Sequence, residues 1–119
     1  MIQVLYSSYI VDEVNENAGF GFKDMFANAE SVSLVFTLHQ GGDSVNTAGV
    51  KAQLVHCDTE TGDYEPVPNA VLYVMGAGSQ ASDIVTLDPT VFSKPFGKVQ
   101  LLGIGTGDPK GGGSITAIW

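Results

Sequence analysis

Residues 31–38 read Ser31-Val-Ser-Leu-Val-Phe-Thr-Leu38, with Val32, Leu34, Phe36 and Leu38 spaced two apart. Successive side chains of an extended chain point to opposite faces, so this spacing predicts a strand with one face in a core. The opposite face carries Ser33, Val35, Thr37 and His39, mostly small or β-branched groups that suit either water or a neighbouring subunit. Gly41-Gly42-Asp43 breaks the run, and a second alternating stretch follows, with Val50, Ala52 and Leu54 on one side and Lys51, Gln53 and Val55 on the other. Together the two stretches predict a hairpin or meander.

Outward from this pair the same signals repeat. Asp58-Thr-Glu-Thr-Gly-Asp-Tyr-Glu-Pro66 is a polar turn, and Pro66 to Met75 returns to apolar residues with both faces covered. After a break at Ala77 to Ser82, Asp83 to Leu87 offers a short strand that Asp88-Pro89 ends, because proline has no N–H to give a ladder. Lys98 to Ile104 and Ser114 to Trp119 flank Gly105 to Gly113, a tract with five glycines and Pro109. That composition predicts a flexible loop joining an antiparallel closing pair. Nearer the N-terminus, Gln3 to Tyr6 and Tyr9 to Val11 fit short strands, Phe20, Phe22 and Phe26 form an aromatic cluster, and Lys23 to Ala29 has room for a helical turn. The expected fold is all-β: one domain, an antiparallel two-sheet β-sandwich at residues 30–119, jelly-roll or barrel topology open, with residues 1–29 as an N-terminal arm or edge strands.

Composition narrows the function classes. At 119 residues and 44% apolar, the chain fills one core. Charged residues are 15% of the total and glycines number 15, which predicts many turns and an unusually neutral surface. Thirteen acids against five bases give a net charge of −8, so neither nucleic acid nor an anionic membrane is expected as a partner. The single cysteine, Cys57, makes no internal disulfide and is compatible with a reducing compartment. No apolar run reaches the length of a membrane helix. Met1-Ile-Gln-Val-Leu-Tyr6 lacks a basic leader and an apolar signal core, so the chain is expected to be used as synthesised.

Catalytic chemistry is sparse. The histidines are His39 and His56, and no serine sits in a Gly-x-Ser-x-Gly elbow. His56 and Cys57 are adjacent, so on a strand they face opposite ways unless a bulge intervenes. No enzymatic activity and no cofactor are expected. Asp58, Glu60, Asp63 and Glu65 put four carboxylates within eight residues, a density able to gather oxygen ligands for calcium but without the twelve-residue loop pattern. A solvated hairpin turn is the simpler reading, and no metal is expected. Gly76-Ala-Gly78 and Gly103-Ile-Gly105-Thr-Gly107 lead into no Lys-Ser or Lys-Thr pair and open no helix, so they read as turns rather than phosphate loops. Phe92-Ser-Lys-Pro-Phe96 places rings beside a lysine, more suited to plugging a sandwich end than to stacking a sugar or base. Trp119 is either an inward knob or an anchor on a neighbour.

The Ser31 to Leu38 and Val50 to Val55 strands, the acidic turn with Tyr64, the run Lys94-Pro-Phe-Gly-Lys-Val-Gln-Leu-Leu-Gly-Ile104 and the glycine-rich tract into Gly113-Ser-Ile-Thr-Ala-Ile-Trp119 together resemble small virion proteins of tailed bacteriophages. The resemblance spans roughly residues 30–119 and is one of layout; the N-terminal stretch departs from it. It implies a β-sandwich capsid cement or decoration protein on the virion surface, assembled in the host cytoplasm. The partner it implies is the major capsid protein. Ile2, Leu5, Tyr6, Tyr9, Ile10 and Trp119 are the expected contact residues, through strand addition to a neighbour's edge or an anchoring ring. Self-association as a trimer or dimer would multiply weak contacts. A carbohydrate-binding module using Tyr64, Tyr73 and Trp119 beside the acidic turn is the expectation from another class, and a tail or baseplate structural protein is a third.

Overall fold

A computed structural model of the chain describes residues 1–10, 14–17, 21–39, 49–75, 80–103 and 111–119. Among the described residues eight strands run in chain order: β1 (Ile2–Ile10), β2 (Val14–Asn17), β3 (Val32–His39), β4 (Gly49–Cys57), β5 (Glu65–Met75), β6 (Gln80–Leu87), β7 (Phe96–Gly103) and β8 (Gly111–Ile118). A single-turn helix, α1 (Phe22–Met25), lies between β2 and β3, and a 3-10 turn (Pro89–Val91) between β6 and β7. The strands form two antiparallel four-stranded sheets, ordered β1-β8-β3-β6 and β2-β7-β4-β5.

The pairs β1 with β8, β2 with β7, β3 with β6 and β4 with β5 describe a chain folded in half at the acidic turn. Rolling that long hairpin brings β8 beside β3 and β7 beside β4, the winding of a jelly roll. The two-sheet sandwich is thus the observed architecture. Two local pairings differ from expectation. β3 and β4 belong to different sheets, as do β7 and β8, so neither consecutive pair is a hairpin or an antiparallel closing pair. Alternation fixes which face of a strand is buried but carries no information about which strand lies beside it.

The core follows the alternation. Val32, Leu34 and Phe36 are fully buried, as are Val50 and Ala52, with Leu54 nearly so. They meet Leu72, Val74, Val99, Leu101, Ile115 and Ala117 between the sheets. Residues 1–29 supply an edge strand to each sheet and an aromatic plug to the core. β1 and β2 are the outer strands of their sheets, and Gln3 to Tyr6 and Tyr9 to Ile10 are parts of one strand with a bulge between Val4 and Tyr6. Phe22 and Phe26 from α1 and its end are buried against Phe92. Phe22 fits because Gly97 lies beneath it: a Cβ there would stand 2.5 Å from the ring.

Gly111–Gly113, expected as loop, are strand residues paired with Ser8, Tyr9 and Ile10. The rest of that tract, together with Phe20, the expected break at Gly41-Gly42-Asp43 and residues 77–79 of the next expected break, lies outside the described residues, while residues 80–82, also expected as a break, belong to β6 and pair with β3. Asp88 ends β6 and caps the 3-10 turn, its carboxylate accepting from the Thr90 N–H at 3.0 Å. Among the described residues no helix is long and apolar enough to cross a membrane.

Candidate functional site

The strand registers assign the described side chains of the β1-β8-β3-β6 sheet to a face. On the outer face three rows of described side chains cross all four strands. Ile2, Ile118, Ser33 and Thr86 form the first, Val4, Thr116, Val35 and Ile84 the second, and Ser7, Ser114, Thr37 and Ser82 the third. None of these side chains carries a charge. Ser33 and Thr86 join hydroxyl to hydroxyl at 3.0 Å across the β3–β6 pair. Ile2, Val4, Ile84 and Ile118 are exposed at 71%, 51%, 64% and 42%, which makes this a contiguous apolar and hydroxyl surface in a chain of net charge −8.

The outer face of the second sheet differs. Lys51, Gln53, Gln100 and Lys98 lie on it, Gln53 donates through Nε2 to Gln100 Oε1 at 2.9 Å, and the Lys98 ammonium stands 4.3 Å from the centre of the Tyr64 ring. The two outer faces thus differ in charge: Lys51 and Lys98 stand on the second beside exposed Tyr73 and Phe96, whereas the three rows of the first hold only apolar and hydroxyl side chains. The outward positions of β3 announced this property in the sequence. Those of β1, β6 and β8 were legible only once the register set them in the same rows.

The expected contact residues divide. Ile2 is on the open face; Leu5 and Tyr6, each 8% exposed, belong to the core. The register shifts between Val4 and Tyr6, and both side chains pack into the core cluster. Tyr9 and Ile10 pair through their backbones with Gly112 and Gly111, and their side chains lie outside the described set. Trp119 is an inward-leaning plug: its ring meets Phe26 edge-on at 5.0 Å between centroids, and its N–H donates to Met1 O at 2.9 Å. Around Met1 and Trp119 lie two shallow clefts of about 750 and 500 Å³, both also lined by Met25.

The acidic turn is a hairpin turn between β4 and β5. Asp58, Glu60, Asp63 and Glu65 are all exposed; Glu65 pairs with Lys94, which holds the Glu65 carboxyl below its usual range and raises the Lys94 ammonium. Among the described residues no cluster of three or more His, Cys, Asp or Glu side chains is arranged to hold a metal. The three candidate sugar-stacking rings do not share a platform. Tyr64 is engaged by Lys98 and donates its hydroxyl to Glu60 O at 2.9 Å, Tyr73 sits far along β5 opposite Lys51, and Trp119 follows β8 in the other sheet. Phe92 is buried in the aromatic plug and Phe96 is exposed.

His56 and Cys57 are both buried. The unbroken β4–β7 register pairs Leu54 with Val99 and His56 with Gly97, placing His56 on the inner face and Cys57 on the other, as strand geometry requires. The register shift near them is confined to the β5 side. His56 Nδ1 is buried without a hydrogen-bond partner among the described residues; burial and the Lys94 charge lower its pKa, against the opposing pull of Glu65 and Asp58. Cys57 Sγ lies 3.9 Å from the Thr59 hydroxyl. Comparison with protein-family models, with curated proteins and with solved structures finds no match to this chain.

Proposed function

We propose that this chain is a structural virion protein, a capsid cement or decoration protein that binds the assembled major capsid protein shell. The observation that carries the reading is the uncharged outer face of the β1-β8-β3-β6 sheet, where Val4, Ile84 and Ile118 stand exposed among serines and threonines. Such a face has no ion to strip of water and gains from every apolar group it covers, provided its serine and threonine hydroxyls find hydrogen-bond partners across the contact. A module built this way acts by adhesion: binding the assembled shell and not its free subunits stabilises the shell by mass action. Many copies on a lattice multiply a modest contact by avidity.

The layout that resembles phage cement proteins and the jelly-roll winding support the same reading. Purified chain added to capsids that lack it is expected to bind saturably at defined lattice positions and to raise their resistance to heat or chelator. An absence of saturable binding would overturn the proposal.

A further inference from the structure

We propose that His56, Lys94 and Glu65 form an acid-sensitive latch at one end of the sandwich. In mild acid a proton on the His56 imidazole parts Lys94 from Glu65 and frays the last two rungs of the β4–β7 ladder, while the rest of both sheets stays paired.

The latch is built where three strands meet. His56 and Cys57 end β4 and pair with Gly97 and Phe96 at the start of β7. On the other side of β4, His56 lies opposite Glu65, the first residue of β5. Lys94, two residues before β7, donates to the Glu65 carboxylate. Because the sheet runs β7-β4-β5, that ion pair spans β4 at the strand end that holds the imidazole. The start of α1 closes the same end: the Phe22 ring lies on Gly97, and Gly21 leaves no room for a Cβ against the Pro95 carbonyl.

This place suits a neutral imidazole and penalises a charged one. His56 is 3% exposed, and its Nδ1 is buried without a hydrogen-bond partner among the described residues. Protonation makes both ring nitrogens donors, so the closed end would hold a buried charged donor with no acceptor. The charges that act on the ring are Lys94, which repels an imidazolium, and Glu65 and Asp58, which attract it. Asp58 stands exposed in the turn, and Lys23 and Asp24 of α1 are exposed as well. Glu65 is engaged by Lys94, which holds its carboxyl below the usual range and so ionised in mild acid. Lys94 and Glu65 are 25% and 57% exposed, and an ion pair so open to water holds weakly. Parting it relieves the repulsion and gives the imidazolium both water and a carboxylate.

The direction of the response follows from linkage. Burial and Lys94 hold the closed-state imidazole below its ordinary 6.5, and an open end restores that value. The open form therefore binds the proton more tightly, and the opening constant rises as pH falls, by up to about tenfold per pH unit until the closed ring itself titrates. Only the ends of two strands need part, so opening at this end precedes global unfolding. The inference does not depend on the capsid reading, because its test uses the chain alone.

Amide exchange followed by NMR between about pH 7 and 5, expressed as protection relative to the free-peptide rate, tests it. Protection at the His56–Gly97 and Cys57–Phe96 rungs is expected to fall by up to about tenfold per pH unit, while residues 50–52 and the β3–β8 pair keep theirs. His56→Gln, neutral throughout, should show no such fall. Lys94→Gln should show a shallower one, since the ammonium that repels the imidazolium is gone. Protection at these rungs that does not change with pH overturns the proposal. So does an equal fall across both sheets, a fall that persists in His56→Gln, or an undiminished slope in Lys94→Gln. Exchange in the unaltered chain decides the matter even if a variant fails to fold.

Discussion

Leu34 and Ile84 test the assignment of faces with two substitutions in neighbouring rungs of one strand pair. Leu34 opposes Val85 and Ile84 opposes Val35, yet the first is fully buried and the second 64% exposed. Leu34→Ala removes buried methyl groups and leaves a cavity, a loss of about 2–5 kcal/mol. A chain of 119 residues shifts its melting midpoint by about 4 °C per kcal/mol, so the fall is about 8–20 °C. Ile84→Ser forfeits only the covered third of a side chain whose full burial contributes up to about 3 kcal/mol, hence about 1 kcal/mol and less than about 5 °C. Thermal or urea unfolding followed by Trp119 emission reads both, because that ring packs edge-on against Phe26. Equal losses at the two positions would refute the reasoning: Ile84 would then be structural, and the open face would not be open.

Other expectations follow from the same geometry. Burial beside Lys94 holds the His56 imidazole below its ordinary 6.5. The unfolded chain therefore takes up that proton first; stability is full above the unfolded pKa and is lost as pH falls toward the depressed folded one. Denaturation midpoints between about pH 7 and 5 should fall in the parent chain and fall less in His56→Leu. Gly97→Ala forces a methyl within 2.5 Å of the buried Phe22 ring and is expected to cost about 1–3 kcal/mol, measured by urea unfolding. Gly21→Ala drives its methyl into the backbone oxygen of Pro95, which no rotamer relieves, so it should destabilise the chain further than Gly97→Ala. Ile84→Lys should leave the fold intact by circular dichroism while weakening the proposed capsid binding at least tenfold, the mark of a charge desolvated in an interface.

The fold was largely legible because the strongest signal, alternation in 31–38 and 50–55, is a direct imprint of a buried sheet face. Val32, Leu34, Phe36, Val50, Ala52 and Leu54 all lie in the core as that pattern requires. Pairing was not legible: β3 and β4 are consecutive but cross between sheets, and β8 reaches back to β1. Leu5 and Tyr6 misled for a local reason. One bulge puts two successive apolar residues on the same inner face, which simple alternation cannot represent. Gly111–Gly113 misled through composition, since glycines that suit a loop also serve in a strand when cross-strand partners hold them. The open face was half visible in Ser33, Val35 and Thr37. Its remaining rows required the register to bring β1, β8 and β6 alongside.

The central claim is that the uncharged sheet face meets a protein shell. An averaged image of capsids saturated with this chain, at a detail that resolves its two sheets, tests it most directly. The account predicts copies at fixed lattice positions with Val4, Val35, Ile84 and Thr116 turned toward the major capsid protein and Lys51 and Lys98 turned to solvent. Copies bound through the lysine-bearing sheet with the β1-β8-β3-β6 face left bare, or bare shells in the presence of excess chain, would contradict it.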